Sequence, residues 1–185
     1  MKAKIFNFNG RSKEGCVLSN FHTGVVVIDG KSYPSGEASF QSSKYFEASK
    51  RAVDTKRKAD LLEYSEKFEV GGAFSGMTSV EIKRKGGKKE GLPLAAADLQ
   101  TWGQTGIHVQ KKICRYKFDN DVKVAQCLKN HLTDVLVHPS RVSDEKIVGR
   151  TWEGRGKIVD GNVVVLGGNV LGKLWMEIRE ELVLK

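Results

Sequence analysis

Glu37 and Lys44 are the residues of this chain whose types and spacing most directly suggest chemistry. Both belong to the stretch PSGEASFQSSKYFEASK (34–50), in which a turn leads into an amphipathic helix. A carboxylate near a helix N-terminus is favoured by the helix dipole by about 0.3–1 kcal/mol, so Glu37 could be purely structural. Nearby aromatic side chains, such as Phe40, would instead raise its pKa and let it act as a general acid. Lys44, further along the same helix, is its obvious cationic partner.

Three short motifs contain groups that could recognise a nucleotide. In SNF (19–21) the amide of Asn20 either forms a turn or holds a ribose hydroxyl or a base edge. Trp102 and Trp152 lie in the polar, glycine-bearing contexts TWGQTG and TWEGRG. There an indole is either half-buried at the surface or stacked on a base, which is worth about 1–3 kcal/mol. Trp175 lies on the apolar face of the last predicted helix, so we expect it in the core.

A charged loop and a glycine-rich motif could hold anionic groups. The loop RVSDEKIVGRTWEGRGK (141–157) supplies carboxylates, among them Asp144, and cations, among them Arg150. The motif GGNVLG (167–172) directly precedes a helix, and backbone amides at a helix N-terminus bind phosphate. The motif matches neither the GxGxxG fingerprint nor the P-loop, and the chain contains no GxSxG or HExxH motif.

The overall charge predicts an anionic partner, and the cysteine and histidine spacing predicts neither disulfides nor a structural metal. Lys and Arg number 31 against 22 Asp and Glu, a formal charge of +9 that favours nucleotides or nucleic acid. Basic residues are densest at 50–58 and 83–89. The three cysteines are odd in number and far apart, and the four histidines are scattered, which argues against a disulfide framework and a metal site.

The chain carries no pattern of a secreted or membrane protein. The N-terminal MKAKIFNFNG lacks the apolar core of a signal peptide, and no segment approaches the roughly 20 apolar residues of a membrane span. We therefore expect a cytoplasmic protein, in the host cytoplasm if it is phage-encoded, with no membrane partner. The sequence leaves its oligomeric state open.

Strand patterns come first, helical patterns fill the middle, and short strand patterns and a helix follow. The predicted elements are strands in AKIFNFNG and CVLSNF, a hairpin in GVVVIDGKSYP, helices over about 35–52, 53–64, 78–85, 102–118 and 122–132, a strand in VLVHPS, a polar loop over 143–161, a β-type run in NVVVLGGN and a helix over 171–182. This order favours an α+β fold over a repeated βαβ fold. We expect a single compact domain over 1–185, mainly helical with short strands.

The motifs and their order resemble the NADAR family, the YbiA-like N-glycosidases, from Ile5 to Leu182. The most specific matches are SNF, the E-x-x-[FY]-Q-x-x-K block at Glu37–Lys44, and the N-x-L-G-x-x-[LW]-M-x-[IL]-R ending at Asn169–Arg179. The resemblance implies an α+β domain with a nucleotide-shaped cleft and no cofactor. It also implies cleavage of the N-glycosidic bond of a ribosylated base. The family's substrates are riboflavin-pathway intermediates and ADP-ribose attached to a nucleobase.

The resemblance also assigns site residues. It implies that Glu37 is catalytic, facing the anomeric carbon, and that Asp144 is a second carboxylate acting on water or the ribose hydroxyls. Further residues that match the family pattern or fit its chemistry form the predicted substrate-binding set: Asn20, Phe21, Lys44, Trp102, Arg150, Trp152, Gly168, Asn169 and Gly172. In this set Lys44, Arg150 and the amides around 168–169 would hold phosphate.

The chain departs from the family pattern in several places. Ala38 follows Glu37 where the family usually has His, and His138 stands where the family has Glu. The D-x-x-W-G-x-G motif is stretched between Asp144 and Trp152, and Glu153 replaces a Gly. Two insertions are KRKGGKKEGLPL and IVDGNVVVLG, of which the second is expected to form an extra hairpin.

Several functions fit these residues. The favoured one is removal of ADP-ribose from a modified guanine in DNA or a nucleotide, and the first alternative is hydrolysis of a ribosylamino-pyrimidine phosphate of the riboflavin pathway. The departures at Ala38 and near Asp144 also fit a module that binds ADP-ribose or a nucleotide with little or no hydrolysis. The basic clusters at 50–58 and 83–89 also fit a nucleic-acid binder, whose affinity for plain DNA or RNA would fall steeply with salt, so nucleic acid is a further expected partner.

Overall fold

The computed structural model describes residues 4–183. In chain order its elements are β1 (Ile5–Asn7), a 3-10 helical turn (Gly15–Leu18), β2 (Thr23–Ile28), β3 (Lys31–Ser35), α1 (Gly36–Arg51), α2 (Thr55–Glu66), α3 (Ser79–Lys85), α4 (Ala96–Asn120), α5 (Val122–Asn130), β4 (Val135–Val137), α6 (Asp144–Ile147), β5 (Arg155–Val159), β6 (Asn162–Leu166) and α7 (Val170–Val183). The predicted α+β class, mainly helical with short strands, is confirmed. The elements form two compact units, residues 20–116 and the described residues on either side of that segment. The single domain over 1–185 stays a prediction.

The unit of residues 20–116 is built on a hairpin that leads into α1. Strands β2 and β3 pair antiparallel across Asp29 and Gly30, whose φ angles of 49° and 81° give the turn that Asp-Gly predicts. Helix α1 begins directly after β3, and the Ser35 side chain caps it by accepting a hydrogen bond of 3.2 Å from the Ala38 amide. Buried side chains from β2, β3, the helices and the turn after α2 form the core of this unit: Val26, Ile28, Tyr33, Ala38, Tyr45, Ala48, Leu61, Phe68, Ile82, Trp102, Val109 and Ile113.

The other unit combines a parallel strand pair, a hairpin and helices α5 to α7. Strand β1 pairs parallel with β4, so that Ile5 lies opposite Val135. Strands β5 and β6 form the second hairpin, with Asp160 and Gly161 at positive φ in its turn. Trp175 on α7 is fully buried, as predicted, and its indole N–H donates to the Leu18 carbonyl at 2.9 Å.

Three segments differ from the sequence-based expectation. The segment around Cys16 forms a 3-10 turn rather than an extended piece, because Gly15 allows it to pack directly on Phe8. Helix α4 begins at Ala96 rather than at Trp102. The loop predicted over 143–161 contains α6 and strand β5, since β5 pairs with β6 in the hairpin that the second insertion predicts. Within residues 4–183 no helix combines the length and the apolar composition that crossing a membrane requires.

Candidate active site

Glu37 is placed by the hairpin that precedes its helix and by the SNF turn. It lies in the first turn of α1, and its backbone N–H donates to the Asn20 carbonyl at 2.9 Å. Its side chain is buried, with 6% of the residue exposed. A carboxylate kept purely for the helix dipole needs no burial, and burial of a charge is costly unless the charge is compensated. The helix dipole alone therefore does not explain why Glu37 is buried, and its catalytic role stays a prediction.

Gln41 links Glu37 to Lys44 along one side of α1. The Gln41 amide nitrogen donates to Glu37 Oε1 at 2.8 Å, and the Gln41 amide oxygen accepts from Lys44 Nζ at 2.7 Å. Lys44 Nζ also donates to the Gly86 carbonyl, just past the end of α3. We call Glu37, Gln41 and Lys44 the α1 row. These residues are the E, Q and K of the E-x-x-[FY]-Q-x-x-K block. They lie on one side of α1 because residues three or four apart share one side of a helix.

The second carboxylate oxygen of Glu37 is not used by this row. Among residues 4–183, no group donates a hydrogen bond to Oε2. Gln41 thus anchors one oxygen and leaves the other available for a ligand or a water molecule. A carboxylate held in this way has a defined orientation before any substrate binds, which is what positioned acid–base groups require.

Burial shifts the pKa values at both ends of the α1 row. It raises the pKa of Glu37, against the Gln41 hydrogen bond and the charges of Lys83 and Lys44, which lower it. Burial also lowers the pKa of Lys44 to about 8, and the negative charge of Glu37 opposes that shift. Both shifts have the direction expected of charges removed from water. Such perturbed pairs are common at functional sites, although structural networks produce them too.

We expect the Lys44 ammonium to titrate near pH 8 and to respond to Glu37. Because the Glu37 charge favours protonated Lys44, Glu37→Gln should move the midpoint to lower pH. The measurement is an NMR titration of the lysine side-chain nitrogens, with Lys44→Gln assigning the signal by its loss. A midpoint that stays in place or rises in Glu37→Gln would contradict the electrostatic link.

The SNF turn is held by a residue that the sequence did not single out. The Asn20 and Gln110 side-chain amides exchange two hydrogen bonds, of 2.7 and 2.9 Å. Gln110 is 1% exposed on α4, and Gly36 packs so closely that a Cβ there would lie 3.0 Å from Asn20 Oδ1. The Asn20 amide, predicted to bind substrate, is thus engaged in holding the chain beside Glu37. A polar residue among Ile107, Val109 and Ile113 was the available signal for Gln110.

The two predicted aromatic residues of this unit differ in exposure. Trp102 is 9% exposed and packs edge-to-face on Phe40, with ring centres 4.9 Å apart. Little of its indole is open to a stacked base, and its ring contact is with Phe40, which precedes Gln41 on α1. Phe21 is half-buried, its carbonyl accepts from Ser79 Oγ at 3.2 Å, and Lys83 Nζ lies 5.6 Å from the centre of its ring.

Gly86 is a second residue that the sequence did not single out, and it can test the α1 row. Its φ of −79° and ψ of −11° suit alanine, but an added Cβ would overlap the Gln41 side-chain amide and lie 2.6 Å from Gln41 Cγ. If Glu37 is catalytic, as the sequence predicts, Gly86→Ala should displace Gln41 and reduce turnover by up to about a hundredfold, the cost of small misplacements in catalytic sites. The assay compares initial rates and thermal unfolding with those of the parent. The control is Gly76→Ala, where nothing lies within 4 Å of the added Cβ, and equal rates in the two variants would refute the role of Gln41.

Asp144 lies in the other unit, at the start of α6, and is engaged in ion pairs. Its Oδ1 accepts from Arg155 at 2.6 Å and its Oδ2 from Lys157, both on β5. The hydrogen bond from Lys157, followed by that from Arg155, holds the pKa of this carboxyl below its usual range. Asp144 is therefore ionised and has a cation on each oxygen. Its predicted action on water or ribose would require at least one of these contacts to open.

The amides predicted to bind phosphate near GGNVLG already have partners. The N–H groups of Gly168, Asn169 and Val170 donate to the carbonyls of Arg150, Glu153 and Thr151, at 2.7, 3.0 and 3.1 Å. These contacts give no support to the predicted phosphate site at 168–169. The Arg150 carbonyl is one of these acceptors, and Arg150 itself is exposed. Trp152, in the same segment, is half-buried.

Asn169 and Gly172 join α7 to β4. Asn169 is 1% exposed and has a φ of 48°, its Nδ2 donates to the Leu136 carbonyl at 2.9 Å, and its Oδ1 accepts from the His138 amide at 3.0 Å. A Cβ on Gly172 would overlap the Leu136 carbonyl and lie 2.6 Å from the Asn169 amide. These positions explain the family-like ending by packing. The His138 ring, where the family has Glu, stacks on Phe8 at 5.5 Å.

The predicted site residues are thus divided between the two units. Glu37, Lys44, Asn20, Phe21 and Trp102 come together in residues 20–116, around the α1 row. The remaining predicted residues belong to the other unit: Asp144, Arg150, Trp152, Gly168, Asn169 and Gly172. Within residues 4–183 no group of three or more His, Cys, Asp or Glu side chains is arranged to hold a metal ion.

Comparisons with known proteins agree on one relationship. The chain is 24% identical over 185 residues to the N-glycosidase YbiA of Escherichia coli strain K12 and to that of Shigella boydii serotype 4, covering all of this chain and 92% of each relative. The NMR structure of Escherichia coli YbiA superimposes with a TM-score of 0.60 at 24% identity, over 100% of this chain and 88% of that one. No protein-family model matches the chain. The structural likeness establishes the fold.

Proposed function

Because this chain is YbiA-like in its sequence over the whole length and in its fold, we propose that it is an N-glycosidase that hydrolyses the bond between a ribosyl group and a nucleobase. The observation that carries the proposal is the buried carboxylate of Glu37, with Oε1 anchored by Gln41 and Oε2 left open. The full-length similarity to N-glycosidases supports the reaction type. The arrangement of the α1 row supports Glu37 as its catalytic residue.

The chemistry of this reaction matches what Glu37 can supply. Hydrolysis of a glycosidic bond passes through an oxocarbenium-like sugar, which a nearby carboxylate stabilises. Water adds its oxygen to the anomeric carbon, the carbon–nitrogen bond breaks, and its electron pair goes to the base nitrogen. Glu37 Oε2 takes one proton of the attacking water, the base nitrogen takes a proton from solvent, and Glu37 then returns its proton to solvent. The products are the free base and a ribosyl hydroxyl. A raised pKa suits this role, because a base is most effective when its pKa is near the working pH.

We propose ADP-ribose attached to guanine, in DNA or in a nucleotide, as the preferred substrate class. The formal charge of +9 and the basic clusters at 50–58 and 83–89 favour a strongly anionic substrate. A ribosylamino-pyrimidine phosphate of the riboflavin pathway is the alternative, since it has the same bond type with less charge.

A second candidate function is a module that binds ADP-ribose and does not hydrolyse it. The ion pairs of Asp144 with Arg155 and Lys157 favour it, because they occupy the predicted second carboxylate. The Glu37 site favours the enzyme, because a raised carboxyl pKa suits proton transfer, which binding alone does not require.

One experiment separates these functions. The parent protein is incubated with ADP-ribosylated guanine in single-stranded DNA, with the ADP-ribosylated nucleotide, and with a ribosylamino-pyrimidine phosphate, and free base is quantified by chromatography. Calorimetry with ADP-ribose runs in parallel. Release of base from any of the three supports the N-glycosidase and identifies its substrate class, whereas binding of ADP-ribose with no release would refute it in favour of the module.

A further inference from the structure

Helix α3 is tied to the candidate site at both of its ends. At its start, Ser79 Oγ donates to the Phe21 carbonyl at 3.2 Å, and Phe21 follows the residue whose carbonyl accepts from the Glu37 amide. Just past its end, the Gly86 carbonyl accepts from Lys44 Nζ. Thr78 and Glu81 form a complete capping box, which defines where the helix begins. The position of α3 relative to the α1 row is therefore specified by contacts on both sides.

Lys83 differs from the basic residues beside it on α3. Arg84 pairs with Glu90 at 2.6 Å, and Lys85 pairs with the same carboxylate at 3.5 Å. Among residues 4–183 no carboxylate forms an ion pair with Lys83. Its ammonium instead lies 5.6 Å from the ring centre of Phe21, and the residue is exposed. Lys83 lies one turn after Ser79, on the side of α3 that contacts the SNF turn.

The charges around Glu37 are unbalanced. The positive charges of Lys83 and Lys44 both lower the pKa of Glu37, against the effect of its burial, so both act on this one carboxylate. An exposed ammonium over an aromatic ring is weakly held, and it gains more from a charge-assisted hydrogen bond to phosphate. A site with surplus positive charge and an uncommitted ammonium is suited to a ligand that carries its own negative charge.

We propose that Lys83 is a specificity-determining residue that binds a phosphate or pyrophosphate group of the substrate whose ribosyl carbon reaches Glu37. This inference rests on the proposed function for the identity of the reaction, but its binding step does not require turnover. Lys83 is the first residue of the inserted segment KRKGGKKEGLPL, so the insertion supplies both this cation and Gly86. On substrate binding, the ammonium leaves the Phe21 ring and pairs with the phosphate oxygens.

The test measures binding of ADP-ribose, and of uncharged adenosine, to the full chain by calorimetry. Lys83→Gln should weaken ADP-ribose binding about tenfold or more, the typical loss of a charge-assisted hydrogen bond, and leave adenosine unchanged. Lys83→Arg should retain binding within a few-fold. Arg84→Gln, which removes the same charge from the same helix, is the matched control and should change little.

Turnover gives a second readout. With the substrate that the parent cleaves, Lys83→Gln should raise KM and leave kcat close to the parent value, because the phosphate contact is made before and during the reaction. ADP-ribose binding that is unaffected by Lys83→Gln, equally affected by Arg84→Gln, or absent in the parent overturns the inference. An active parent with a Lys83-independent KM overturns it while the N-glycosidase stands, and Lys83-dependent binding without base release refutes the N-glycosidase alone.

Discussion

Replacing Glu37 by glutamine should lower base release by about a thousandfold while leaving the fold intact. A positioned acid–base group contributes roughly 10²–10⁴-fold in rate. In the proposed mechanism Glu37 also stabilises the oxocarbenium-like sugar. Glutamine has the same shape, and its carbonyl oxygen can still accept from Gln41 Nε2, as Glu37 Oε1 does at 2.8 Å. The variant therefore removes charge and basicity and leaves the α1 row in place. Initial rates on the substrate that the parent cleaves measure the loss.

The stability of Glu37→Gln gives a second test, because this variant should lose activity without losing stability. Burial raises the pKa of Glu37 in the folded state. Ionised Glu37 therefore lowers the free energy of unfolding once the pH exceeds the pKa of this group in the unfolded chain. Near neutral pH, Glu37→Gln should unfold at a temperature no lower than the parent. This combination of lost activity and retained stability is typical of catalytic residues.

A glutamate on the same helix provides the control for this prediction. Glu47 forms a surface ion pair with Lys50 at 2.7 Å, so Glu47→Gln makes the same chemical change on α1. Its rate should stay within about twofold of the parent, since exposed pairs contribute little. Base release by Glu37→Gln at more than a tenth of the parent rate, with both variants folded, would remove Glu37 from the mechanism.

The α1 row could be predicted in part from the sequence. The spacing of Glu37, Gln41 and Lys44 places them on one side of a helix, and the helix itself was predicted to within a residue at each end. The sequence could not show that Glu37 is buried, because burial depends on which other elements pack around the start of α1. It also could not show the partners Gly86 and Gln110, which lie 42 residues from Lys44 and 90 residues from Asn20. Contacts at that separation are set by tertiary packing.

For the GGNVLG motif, the sequence suggested a phosphate site that the contacts in the structure do not support. The rule that helix N-termini bind phosphate holds only for amides that lack a partner inside the protein. Here the segment around Thr151 supplies carbonyls to Gly168, Asn169 and Val170. The sequence shows which amides a helix start exposes, but not which loop packs against them. The motif is therefore better explained by how α7 is attached than by a ligand.

Gly172→Ala should destabilise the protein by about 2 kcal/mol, which tests this structural explanation directly. The Cβ would overlap the Leu136 carbonyl, a backbone atom of β4 that cannot move without disturbing its pairing with β1, and the Asn169 amide that bonds to the same carbonyl. Overpacking a well-packed site typically costs 1–3 kcal/mol or more, and the gain from alanine in a helix offsets only about 0.5–1 kcal/mol. Urea denaturation of the parent and the variant gives the free energy of unfolding.

The matched control is Gly149→Ala, in the same unit, where nothing lies within 4 Å of an added Cβ. Its free energy of unfolding should differ from that of the parent by no more than about 1 kcal/mol. If Gly172→Ala were as stable as this control but bound ADP-ribose more weakly, Gly172 would be a ligand contact, as the family resemblance implies. If instead Gly172→Ala loses stability and its folded fraction still binds ADP-ribose, position 172 needs glycine so that α7 can pack closely on β4. In that case the phosphate-binding groups are to be sought at Lys83 and Lys44 rather than at the start of α7.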